Sequence, residues 1–156
     1  MTFFSVSTVL VLLLIIAPMS NFAHEIGHSV GAALIQSDRI CITLGRGSQF
    51  SKWTRGRYTL IFYSTFFLGG SVSNSRERSF TSGEKILVSF CGPLMNALFA
   101  TIGIMSLQWV AIPFIELFIW YNMWLAAINV IPFKIKNNQS DGYVMLSSFL
   151  EYKNNR

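Results

Sequence analysis

Residues 3–35 read FFSVSTVLVLLLIIAPMSNFAHEIGHSVGAALI, and among their ionisable side chains are one carboxylate, Glu25, and two histidines, His24 and His28. At ~1.5 Å of helical rise per residue the run outreaches a hydrocarbon core of roughly 30 Å, so it predicts a span that tilts, or one that bends near Pro18. A secretory leader is the rival reading, with Val9 to Ala17 as its apolar centre. Against it, residues 1–7 hold no Lys or Arg, and Asn21 and Ala23 make a poor small-residue cleavage site.

The rest of the chain has the same character. Its 156 residues are 52% hydrophobic and 12% charged, which suits one membrane domain better than a water-soluble one. The apolar residues come in long unbroken runs, which excludes both a disordered chain and the alternating pattern of an outer-membrane barrel. A net charge of +5 beside such runs reads as the basic loops of the cytoplasmic side, and nucleic acid is not an expected partner. Cys41 and Cys91 are too few for a disulfide framework.

Residues 36–85 are the long polar stretch. Arg39, Arg46, Lys52, Arg55, Arg57, Arg76, Arg78 and Lys85 face only Asp38, Glu77 and Glu84 there. Within it Ile40 to Leu44 and Tyr58 to Phe67 are rich in β-branched and aromatic residues and read as strands at the membrane interface. Further spans are expected at about 86–112 and 114–133, joined tightly around Pro113. A short interfacial helix follows at about 141–151, with Tyr143, Met145, Leu146, Phe149 and Leu150 toward the membrane. The expected fold is therefore an α-helical polytopic membrane protein: a three-helix transmembrane core, a membrane-associated β hairpin or sheet between spans 1 and 2, and a C-terminal interfacial helix. Lys134, Lys136, Lys153 and Arg156 fall on the same side as the basic loop. This predicts an outer N-terminus, with the first loop and the C-terminus cytoplasmic.

His24-Glu25-Ile26-Gly27-His28 is an HExxH pattern. Four residues advance about 400° on a helix, so both imidazoles project from one face, one turn apart, and can ligate one ion. Glu25 lies about 100° round from His24, within reach of a water on that ion but outside its coordination, as a general base should be. These are the only histidines in the chain, and they flank a carboxylate inside a span, where ionisable groups are costly and usually functional. A polar cluster that merely packs helices is the bland alternative. Zinc asks for a third protein ligand, to be found among the carboxylates or Cys41 and Cys91. Glu116 lies at the wrong end of its span. Asp141 is on the right side, and spacing alone leaves it equally a ligand or a helix N-cap.

HEIGH within a span, followed by Gly92-Pro93-Leu94-Met95-Asn96, then Asn129-Val130-Ile131-Pro132 and Asp141-Gly142, resembles the site-2 protease family of intramembrane zinc metalloproteases. The resemblance is to the minimal form, without PDZ or CBS domains, and covers nearly the whole chain. Gly45-Arg46-Gly47, the basic stretch around Trp53 and Leu68-Gly69-Gly70 resemble the family's membrane-associated β region. The resemblance implies one zinc ion held by His24, His28 and Asp141, with Glu25 as base and peptide hydrolysis in or beside the bilayer. It also places Asn96 and Asn129 near the site as candidates for positioning substrate. The chain departs from the family's compact arrangement in setting residues 134–140 between the Asn129 motif and Asp141.

The expected function is thus an intramembrane zinc metalloendopeptidase acting on membrane-spanning or membrane-associated peptides, with the lipid bilayer as its other partner. The strand around Tyr58 to Phe67 is a candidate for binding an unwound substrate by β-addition. A non-catalytic membrane regulatory module and a zinc hydrolase of small amphiphiles are the competing classes. Glu25 argues against the first, because a binding module has no chemical need of a base beside two ligands.

Overall fold

The computed structural model describes residues 5–67, 69–109, 113–136 and 138–154; Phe3, Leu68, Ile112 and Arg156 lie outside them. The first apolar run is helical from Val6 to Leu34: α1 (Val6–Val11), a π-helical turn (Leu12–Ile16) and α2 (Ala17–Leu34). Pro18 explains the turn. Its ring would collide with the carbonyl four residues back, and widening the coil so that Ala17 N–H reaches Leu12 O makes room.

Four strands follow: β1 (Arg39–Leu44), β2 (Gln49–Arg55), β3 (Tyr58–Tyr63) and β4 (Gly70–Ser75). They form one mixed sheet in the order β2-β3-β1-β4, with β1 and β3 parallel and the other pairs antiparallel. The register puts Ile40, Ile42 and Leu44 on one face with Leu60, Phe62 and Val72. Ile40 and Leu44 are buried there, and β1 and β4 lie beside α2.

Helix α3 (Ser82–Ser106) opens with a Thr81–Glu84 capping box. Arg76, leaving β4, grips Glu84 through Nη2 at 2.9 and 3.0 Å and donates to Ile35 O at 2.6 Å, which ties the sheet's exit to both neighbouring helix ends. Packed on α3 are α2, α4 (Ile115–Val130) and α5 (Asp141–Asn154). Between α4 and α5 the chain turns through a two-stranded ribbon, β5 (Lys134–Ile135) with β6 (Asn138–Gln139). The described residues of this connection thus fold back on one another.

The expected three-helix transmembrane core is not what the chain forms. Among the described residues there are four helices, counting the continuous run Val6–Leu34 as one, of which only two, Val6–Leu34 and Ser82–Ser106, are long and apolar enough to cross a membrane, and they accompany a four-stranded mixed sheet. The stretch expected to span at 114–133 yields a helix of 16 residues, about 24 Å long. Phe114 sits at φ 65 before it, and Ile131, forced out of the helical region by Pro132, is extended after it. Composition made that run look long enough, and proline cut it short.

The helices meet on small and polar residues. Ser20, Ala23, Gly27 and Gly31 of α2 are buried, as are Ser89, Gly92, Asn96 and Ala100 of α3. Large apolar side chains point outward instead, among them Leu14, Met19, Leu34, Ile102, Met105, Trp120 and Trp124.

Candidate metal centre

One turn of α2 presents His24 and His28, and α3 sets them. His24 Nδ1–H donates to Asn96 Oδ1 at 2.6 Å, and His28 Nδ1–H donates to Val88 O at 2.8 Å. A carbonyl oxygen only accepts, so both rings carry a proton on Nδ1; in the neutral ring this leaves Nε2 bare, and both Nε2 atoms turn the same way. The two Nε2 atoms lie 3.1 Å apart. Gly92 is what lets the rings lie on α3, since a Cβ there would strike His28 Cε1 and Nε2.

Asp141 completes the group. Its Oδ2 is 3.1 Å from His24 Nε2 and its Oδ1 3.2 Å from His28 Nε2. Its competing role as cap falls to Ser140, whose Oγ accepts from Tyr143 N at 3.1 Å and whose carbonyl accepts from Val144 N. Ser140 Oγ also donates to Ile131 O at 2.7 Å, fastening α5 to the end of α4. Gly142 allows that approach, because a Cβ there would overlap Val130 O.

Three acceptors therefore converge with no donor among them, and Asp141 Oδ2, shut off from solvent, has no hydrogen-bond partner. A buried acceptor left so is costly, and a cation at the centre would satisfy all three groups. Among the described residues His24, His28 and Asp141 form the one group of such side chains able to hold a metal ion. Glu116 is exposed on the first turn of α4, and Cys41 and Cys91 are free thiols outside the group.

Glu25 is buried and lines the same cavity, of about 430 Å³, as His24, His28 and Asp141. Gly70 of β4 closes on it, and a Cβ at Gly70 would come within 2.7 Å of Glu25 Cγ. Ser71, Val72 and Asn74 carry β4 along the cavity wall, and Asn129 lines it from α4, its Nδ2 donating to Leu125 O at 2.8 Å. Asn96 sits behind His24 instead, wholly buried.

The strand expected to accept substrate is misplaced for that task. β3 is paired on both sides, by β2 and β1, so it has no free edge, whereas β4 is a sheet edge. Sequence reasoning also missed Asn122, Ser20 and Ser140. Asn122 is wholly buried, and its Nδ2 donates to Ser20 Oγ at 2.8 Å. The available signal was an amide in the middle of an apolar helix, which is expensive without a partner. No family model matches the chain, and no curated protein matches it.

Proposed function

We propose that the chain is an intramembrane zinc metalloendopeptidase that hydrolyses peptide bonds of membrane-spanning or membrane-associated substrates, as its resemblance to the site-2 proteases implies. The observation that carries the reading is the convergence of two bare imidazole nitrogens and one carboxylate at mutual distances of 3.1–3.2 Å, with Glu25 in the same cavity. Four ligands about 2.05 Å from a tetrahedral ion stand about 3.3 Å apart, so this donor set suits zinc and leaves a fourth position open.

Bound zinc would supply Lewis acidity and lower the pKa of water in the open position toward ~7. Glu25 takes the proton of the attacking water and hands it to the departing amine. His24 and His28 keep their orientation through Asn96 and Val88 O, and Asp141 adds negative charge opposite them. β4 offers unpaired backbone groups beside Glu25, so a locally unwound substrate can add to the sheet there and present its carbonyl to the centre.

Membrane residence is supported by the inverted surface of the helices, with small and polar groups inside and Leu, Ile, Met and Trp outside, an arrangement that suits lipid and would be costly in water. The chain crosses more than once, with its N-terminus outside and the basic sheet cytoplasmic, because the sheet and its excess of Arg and Lys lie between the two long apolar helices. The test is cleavage of single-span peptides by purified protein in vesicles. Cutting that depends on zinc and Glu25 supports the reading. Zinc-dependent hydrolysis confined to small amphiphiles, or zinc binding without hydrolysis, overturns it in favour of one of the competing classes.

A further inference from the structure

We infer that Asn122 is a positioning residue for the metal centre, acting through Asn96 to fix which nitrogen of His24 faces the ion. The inference rests on the zinc reading above and adds a fourth-helix contribution to it.

An asparagine amide donates at one end and accepts at the other, and can turn over unless its partners forbid it. Here backbone carbonyls forbid it twice. Asn122 Nδ2 donates to Phe118 O at 2.9 Å and to Ser20 Oγ at 2.8 Å, which turns Asn122 Oδ1 toward Asn96. Asn96 Nδ2 then donates to that oxygen at 2.9 Å and to Ser20 O at 3.1 Å. With both its protons spent, Asn96 can present only Oδ1 to His24, and at 2.6 Å this holds the ring proton on Nδ1. The hydrogen bonds run in one sense, from His24 through Asn96 to Asn122 and on to Phe118 O.

Asn96 and Asn122 are wholly buried and Ser20 nearly so. Removing Asn122 Oδ1 leaves an Asn96 N–H orphaned in a buried site and its amide nitrogen held by Ser20 O alone, so the aim of His24 loosens. His28 needs no such relay, because Val88 O reaches it directly. Helix α4, too short to rank as a span, thereby contributes to the centre from behind it.

The experiment is zinc affinity of the full chain in detergent, measured by chelator competition, for wild type, Asn122→Leu, Asn96→Leu and the double variant. Partners that orient a ligating histidine are typically worth 10–100-fold in metal affinity. Asn122→Leu is expected to weaken zinc about tenfold in the wild-type background, near the low end of that range, and not at all once Asn96 is Leu, because it acts only through that amide. Ser20→Ala, a milder change, is expected to show a smaller loss with the same dependence on Asn96. A merely structural asparagine would lower thermal stability of the zinc-free protein and leave affinity alone. Unchanged affinity in Asn122→Leu and Ser20→Ala, or equal losses in both Asn96 backgrounds, overturns the relay while the zinc site stands; a wild-type chain that takes up no zinc overturns both.

Discussion

Two of the converging side chains come from one helical turn, and the third arrives from the opposite end of the chain. His24 and His28 face the same way because four residues make one turn of α2, and any change that leaves α2 helical leaves the pair. Asp141 is there only because α4 stops before Pro132, the β5–β6 ribbon returns the chain, Ser140 caps α5 and bonds Ile131 O, and Gly142 lets the helix start lie against Val130 O. A local constellation is robust and a tertiary one is conditional, and the two should fail differently when mutated.

The largest effect belongs to the local side. Glu25→Gln keeps the shape of the side chain but cannot take a proton, so cleavage is expected to fall by roughly 10²–10⁴-fold while zinc stays bound. Near-wild-type turnover in that variant would strip Glu25 of its role and leave α2 with ligands but no base.

On the conditional side, ligation and capping separate at adjacent residues. Asp141→Asn should weaken zinc by more than about 100-fold, beyond the range of outer partners, without lowering the thermal stability of the zinc-free protein. Ser140→Ala should do the reverse, costing about 1 kcal/mol of stability and keeping most of the zinc affinity. Differential scanning calorimetry beside chelator competition reads both, and full zinc affinity with unchanged stability in Asp141→Asn would return Asp141 to a capping role, since Asn caps as well as Asp.

Gly142→Ala is an intermediate case. A Cβ at Gly142 overlaps Val130 O, so a loss of about 1–3 kcal/mol is expected, together with weaker zinc as Asp141 is pushed off its partners. Gly83→Ala is its control, because a Cβ there meets nothing, and the change should stay within about 0.5 kcal/mol. Equal responses at the two glycines would mean that the α4–α5 contact does not hold Asp141 in place.

The same division accounts for what could be read from the sequence. The HEIGH geometry, the strands at Ile40 and Tyr58 and the helix beginning at Asp141 follow from local periodicity and composition. β2 and β4 were not legible from strand periodicity: Gln49–Arg55 is exposed along its whole length, and Gly70–Ser75 has Val72 as its one strong strand former among Gly, Ser and Asn, so both pair because β3 and β1 offer them edges. Apolarity did not reveal the length of α4, which its flanking residues decide. The Asn96–Asn122–Ser20 network was beyond reach for another reason: its hydrogen bonds join three helices, and no spacing along one segment encodes which amide meets which.

Zinc-edge X-ray absorption on the purified full chain, with metal content measured on the same sample, tests the centre most directly. The expected result is one zinc per chain in a shell of nitrogen and oxygen at about 2.0–2.2 Å, two of the scatterers being imidazoles. In Asp141→Asn that signature should be lost or greatly reduced. A shell containing sulfur at about 2.3 Å would bring Cys91 or Cys41 into the site and displace Asp141 from it. A chain that holds no zinc at all would contradict the metal centre and the hydrolysis built on it.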